Sequence, residues 1–371
     1  MSPAALPPLL AAVQTNCDIT DARFAADLPL CIYLLQMREF YRWEQGLEFG
    51  DPLPRAALGD WLARREAHWD TLEGRPFEPV PCAGAQVDPF DVATIDAALQ
   101  PLGLGYGAGL IGPGRPVFFV AERATPSPAQ VDGEPVRVQL YGRELARSLA
   151  SPLALLAPLP EGETIVLRQA ALSRWLWERF EAHSLRPAEG AFGRFAAACG
   201  VQSPEQFNAR LPDLLHTARP VLLLHELGEL RAGRWLGPRW ATLREALADD
   251  RRSELRLRAV RDHLADLGTT LPALLADGAS APLHFWFAGY EGHREALYPG
   301  LKSAYAAWCA GDGGHALRAA VQVGEAHFRR LAERLLVLAD GQPNALSRAL
   351  MCGAGGTGKG PFDLSPSHRQ E

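Results

Sequence analysis

Apolar residues recur along this chain at the three- and four-residue intervals of helices more often than in the alternation of strands. Leu30, Leu34, Met37 and Tyr41 form one such stripe and predict a helix over about 27–48. Pro54 opens a second helix, with Leu58, Trp61, Leu62, Trp69 and Leu72 on one side. A short third helix is predicted over 88–99, and residues 101–115 read as a Gly-rich loop. Val117-Phe118-Phe119-Val120 and Val136-Arg137-Val138-Gln139-Leu140 are β-like. Thr125-Pro126-Ser127-Pro128 and Asp132-Gly133 lie between them, so a β-hairpin with a long connection is expected over about 116–141. Beyond it the pattern predicts only helices, over 142–156, 164–184, 188–199, 204–216, 219–235, 239–248, 252–275, 281–297, 299–310, 313–340 and 343–350.

The expected fold is therefore mainly α, a bundle-like set of helices with one small β-hairpin. It divides into an N-terminal helical unit (1–110), the hairpin insertion (111–141), a larger C-terminal helical domain (142–350) and a flexible or draped tail (351–371). No internal repeat of fixed period is present.

Composition narrows the function classes. The 371 residues are 47% hydrophobic, enough for a large core, and the formal net charge is -6. That balance argues against a nucleic-acid binder, which needs a basic patch. No run of about 20 apolar residues exists to span a membrane. Pro7-Pro8 interrupts an N-terminus that lacks a basic region, a poor export signal. Six scattered Cys without a CxxC pair fit reduced thiols, and a cytoplasmic location is expected.

The strongest chemical pattern is His225-Glu226-Leu227-Gly228-Glu229 within an apolar helical stretch. On a helix, Leu222, His225, Glu226 and Glu229 share one stripe. An imidazole and two carboxylates on a face otherwise entered by leucines need a partner, because burying them unpaired is costly. The segment echoes the zincin pattern HExxH, but Glu229 stands where the second His belongs, which argues against a zincin protease. Asp262 and Asp266 form a second acidic pair at i, i+4, beside the apolar stripe Leu257, Val260, Leu264, Leu267 and Leu271. Like charges at that spacing repel and favour a cation nearby. The aromatic segment Leu283–Tyr290 adds His284. Arg38, Glu44 and His68 also lie on apolar stripes, where a buried ion pair is natural, and Thr20 or Asp21 is suited to cap a helix entry. Gly353 to Lys359 matches the P-loop spacing, but Gly360 replaces the required Ser or Thr and the chain ends too soon for a nucleotide domain.

Three readings follow. In the first, His225, Glu226 and Glu229, with Asp262, Asp266 and His284, hold a transition metal (iron, manganese or zinc) for redox or hydrolytic chemistry on a small molecule. In the second, the same groups form a buried salt-bridge network in a non-enzymatic binding or assembly protein. The third is a haem or organic-cofactor pocket lined by the aromatic helices.

Overall fold

The computed structural model describes residues 3–110, 115–159, 162–185, 190–247 and 250–339. It divides into two compact units, Met1–Ala188 with Cys199–Arg219, and Glu189–Ala198 with Pro220–Glu371. The region 343–350, the tail and the P-loop-like segment lie outside the described residues.

The first unit corrects the expected fold class. Its elements run α1 (Leu6–Phe24), α2 (Leu30–Gln45), α3 (Arg55–Asp70), β1 (Val80–Cys82), β2 (Ala85–Val87), α4 (Val92–Leu99), β3 (Leu104–Leu110), β4 (Pro116–Ala124), β5 (Ala129–Val131), β6 (Glu134–Arg147), β7 (Ala154–Leu159), β8 (Gly162–Arg168) and α5 (Gln169–Leu185). β1 and β2 form a two-stranded sheet, and β3 to β8 form a six-stranded mixed sheet in the order β3-β4-β6-β8-β7, with β5 on β6. The two segments expected to make a hairpin are indeed antiparallel neighbours, β4 and β6. They are the centre of a sheet, however, and not an isolated hairpin over 116–141. β6 then pairs with β8 in parallel, and β7 returns antiparallel.

Each misread segment has a physical cause. Within the stretch expected as a loop, Leu104–Leu110 form strand β3, and residues 111–114 lie outside the described residues. A Cβ at Gly105 would meet the Tyr141 ring at 2.3 Å, and one at Gly107 the Phe119 ring at 2.2 Å. The glycines clear space for those aromatic rings, a close approach that strand glycines often mark. The helices expected over 142–156 and from 164 are instead the end of β6, then β7 and β8. Buried Thr164, Ile165 and Val166 suit a pleated surface, and their short apolar run has no alternation to separate strand from helix. Residues 16–21 belong to the interior of α1, so Thr20 and Asp21 are fully buried and cap nothing.

Alternation along β4 builds the core on both faces. Phe118 and Val120 meet Leu9, Val13 and Cys17 of α1 with Ile95 and Leu99 of α4. Phe119 and Ala121 point the other way, toward Tyr141 and Val166. On α2 the buried stripe is Met37, Phe40 and Tyr41, while Leu30 is 71% exposed and Leu34 46%. The polar groups singled out here have ordinary partners. Glu44 accepts from Trp61 Nε1 at 2.6 Å and pairs with Arg65; Arg38 pairs with Glu39 and Glu181; exposed His68 lies 3.5 Å from Asp18.

One ionic cluster is fully buried. Glu144 of β6 accepts two bonds from Arg168 (3.0 and 2.6 Å) and pairs with Arg174 at 2.8 Å. Burial alone would raise the Glu144 pKa, but Arg168, Arg174 and Arg147 outweigh it and hold the carboxyl at about 2.

The remaining elements are helical: α6 (Ala191–Ala198), α7 (Pro204–Leu236), α8 (Pro238–Ala246), α9 (Arg251–Ala265), α10 (Leu271–Asp277), α11 (Ser280–Ala288), α12 (His293–Leu297), α13 (Pro299–Cys309) and α14 (His315–Ala339). The break expected near Pro220 does not occur, and α7 runs for 33 residues. Leu214, Leu215, Ala218 and Val221, buried on either side of the proline, keep the helix continuous against its intrinsic cost of about 3 kcal/mol. Among the described residues no helix is long and apolar enough to cross a membrane.

Candidate functional site

The cluster predicted around His225 forms within the second unit, where α7 crosses α9 at its closest possible approach. A Cβ on Gly228 would lie 2.6 Å from the Ala265 carbonyl oxygen, so only glycine allows this contact. His225 and Glu229 share the Gly228 face of α7 at i−3 and i+1; Asp262 and Asp266 flank Ala265 on α9 in the same way. The glycine contact thus brings the two acidic patterns face to face.

A backbone irregularity fixes the fourth group. Asp266–Thr270 widens into a π-turn between α9 and α10. Pro272 has no N–H for the Gly268 carbonyl, and Arg231 donates to that oxygen at 3.4 Å. Such turns often mark functional positions in helices. Here the turn begins at Asp266, whose carboxylate is buried and fully engaged. Its Oδ1 accepts from His225 Nδ1 at 2.8 Å and from Trp286 Nε1 at 3.0 Å, and its Oδ2 from Arg294 at 3.1 Å. Burial opposes the charge on Asp266, but His225 and Arg294 hold its pKa well below the usual carboxylate range.

Asp266 also orients the imidazole. With Nδ1 committed, Nε2 faces Glu229, whose Oε1 lies 3.9 Å away. That is too long for a hydrogen bond. It is within the roughly 4.2 Å that two atoms can span when each sits about 2.1 Å from one metal ion. Glu229 keeps this oxygen free because Arg261 takes the other at 2.8 Å. Ligand atoms of His225, Glu229 and Asp262 all lie within 4.8 Å of one another.

The electrostatics of the site are strained. Burial pushes Glu226 to about 7; His225 draws it down and Glu229 pushes it up. Asp262 is likewise raised to about 7, by burial first, with His225 again opposing and Glu229 reinforcing. Neither side chain has a hydrogen bond or ion pair among the described residues, although Glu226 is only 7% exposed. His225 responds in the opposite sense. Burial would lower its pKa, but Asp266, Glu229 and Glu226 lift it to about 10. Four carboxylates therefore face two guanidiniums, Arg261 and Arg294. A divalent cation on Nε2 takes the place of the imidazolium proton and so offsets the same carboxylates that raise the His225 pKa.

His284 is not brought to this cluster. It lies on α11 two residues before Trp286, about 200° away around the helix, so only Trp286 faces Asp266. The His284 ring instead bonds the Tyr305 hydroxyl at 2.7 Å and packs edge-on to Trp308. Two participants escaped sequence reasoning: Arg294 and Trp286. Arg261 was legible as the residue before Asp262, but Arg294 and Trp286 arrive from distant segments with no periodic signal.

Comparison with known proteins gives a family without a function. Residues 8–168 match the N-terminal domain, and residues 173–351 the C-terminal domain, of a family of unknown function, DUF6866. No curated protein and no solved structure matches the chain. Together the two matched domains span nearly the whole sequence, and the chain belongs to the DUF6866 family of unknown function.

Proposed function

We propose that the second unit binds one divalent transition-metal ion, and that the protein is a metal-dependent enzyme acting on a small molecule. His225 through Nε2, Glu229 through Oε1 and Asp262 are the ligands. Glu226, which the geometry leaves outside this group of three, is the proton acceptor beside it, and Asp266 positions the imidazole. The observation that carries this reading is the posture of His225: a buried carboxylate holds Nδ1, and Nε2 is turned toward free carboxylate oxygens. Metal-bound histidines are characteristically oriented by such an outer carboxylate. One imidazole with a carboxylate majority suits manganese, iron or zinc. Three protein ligands leave coordination positions for water or substrate, the arrangement that supports hydrolytic or redox chemistry. The unbridged thiols of Cys17, Cys31, Cys82, Cys199 and Cys309 fit a cytoplasmic, reducing setting.

A second reading has its own support. Arg261 on Glu229 and Arg294 on Asp266 are what a purely structural ion-pair network would contain. Asp262 separates the two, because among the described residues it has no ion pair to lose. Titrating the metal-free full-length chain with Mn²⁺ and Zn²⁺ should show binding of about one ion per chain, weakened at least about a hundredfold in Asp262→Asn. A structural network predicts no stoichiometric metal in either protein, and a variant as stable as the parent or more so, because one of the crowded charges is gone. That result would sink the metal reading.

A further inference from the structure

The first unit carries a second polar site that the metal reading does not use. Arg147, at the end of β6, is 2% exposed, and its guanidinium lies over the Phe40 ring at 4.5 Å. Its NH1 makes only a 3.5 Å contact with Ser151 Oγ, while its Nε and NH2 are buried with no partner. Among the described residues no carboxylate lies within ion-pair distance of it. Glu144 and Asp21 act on it electrostatically without such a contact, and burying a guanidinium with unbonded nitrogens is costly. On α2, two acceptors are buried without partners in the same place: Gln36 Oε1 and Glu39 Oε2. The other Glu39 oxygen is already taken by Arg42 at 3.2 Å. All three residues line one cavity of about 110 Å³, together with Arg174, Ser151 and Glu178.

The cavity therefore has two chemically distinct walls. Unused donors stand on the Arg147 side, where Arg174 adds a second positive charge and is itself anchored to Ser151 at 3.0 Å. Unused acceptors stand on the α2 side, and Glu178 faces the same space. A simple anion would satisfy the first wall and leave the second bare; a simple cation would do the reverse. We infer that this cavity binds a small amphoteric molecule of the amino-acid class, its carboxylate on Arg147 and its ammonium on Glu39 and Gln36. A carboxylate matches the forked donors of a guanidinium, and the volume admits a short molecule while excluding a drug-sized one.

The test is calorimetric titration of the full-length chain with glycine, L-alanine and L-serine, against acetate and methylammonium at matched ionic strength. At least one amino acid should bind saturably at one per chain, at least about tenfold more tightly than either half-molecule, because a site built for two polar ends is left unpaired by one. Arg147→Met should abolish that binding. If this variant does not fold, Gln36→Leu, at a partly exposed helix position, should still weaken binding about tenfold. Acetate binding as tightly as the best amino acid overturns the proposal. So does an unchanged affinity in Gln36→Leu, or no saturable binding by any of the three.

Discussion

Replacing Glu144 by glutamine is expected to lower stability by about 3–5 kcal/mol, the usual result of removing one partner from a buried ion pair. The carboxylate is 3% exposed and takes bonds or ion pairs from both Arg168 and Arg174. Glutamine keeps the shape but not the charge, so two guanidiniums remain desolvated, with Arg147 beside them. The cost should be measured by urea unfolding and should depend on pH in a defined direction. Glu144 has a folded-state pKa of about 2 against 4.5 for the free side chain. A depressed acid stabilises above its unfolded pKa and loses that contribution as pH falls toward the folded one. The wild-type advantage over Glu144→Gln should therefore be fully present at neutral pH. It should shrink by about 3 kcal/mol between roughly pH 4.5 and 2. Taking the difference between the two proteins matters, because Asp21 acts in the opposite sense. Burial raises its pKa to about 8, so its native state retains a proton and loses stability as pH rises from about 4 to 8. A difference between wild type and variant that stays constant across the acid range would show that Glu144 is not held by its arginines.

Gly228→Ala is expected to disrupt the candidate metal site without touching a ligand. Alanine is intrinsically better in a helix by about 1 kcal/mol. Here its methyl group would sit 2.6 Å from the Ala265 carbonyl oxygen, so α7 and α9 must move apart. Backbone cannot rotate away as a side chain does, and overpacking of this kind typically costs about 1–3 kcal/mol. The same displacement separates His225 and Glu229 from Asp262 and Asp266, and metal affinity should fall at least about tenfold. Denaturant unfolding and Mn²⁺ titration of the variant measure the two effects. A variant more stable than wild type, as helix propensity alone dictates, would mean that the helices do not touch at this glycine.

These two residues also show where sequence reasoning succeeds and where it stops. Gly228 lies inside the motif that the helical pattern singled out, and placing His225, Glu226 and Glu229 on one stripe needed only the 3.6-residue period. The pairing of Asp262 with Asp266 at i, i+4 was legible for the same reason. Their meeting across α7 and α9 was not, because helical period says which residues share a face and nothing about which face opposes it. Glu144 attracted no attention, since it lay in a segment read as helix. The strand errors share one cause. Buried strands such as Thr164–Leu167 lose the alternation that half-exposed strands show, and the β3 glycines resemble a loop until Tyr141 and Phe119 are placed across them.

What the sequence by itself determined was local: the helical stripes of the second unit, the propinquity of an imidazole and several carboxylates, and the absence of any segment apolar and long enough to span a membrane. Tertiary structure decided the rest. It set six strands into one sheet, paired Glu144 with distant arginines and left Arg147 with no ion pair among the described residues. It also turned His225 toward Glu229 by committing its other nitrogen to Asp266. Each of these depends on groups far apart in the chain, whose electrostatic and steric fit exists only after the backbone has closed around them.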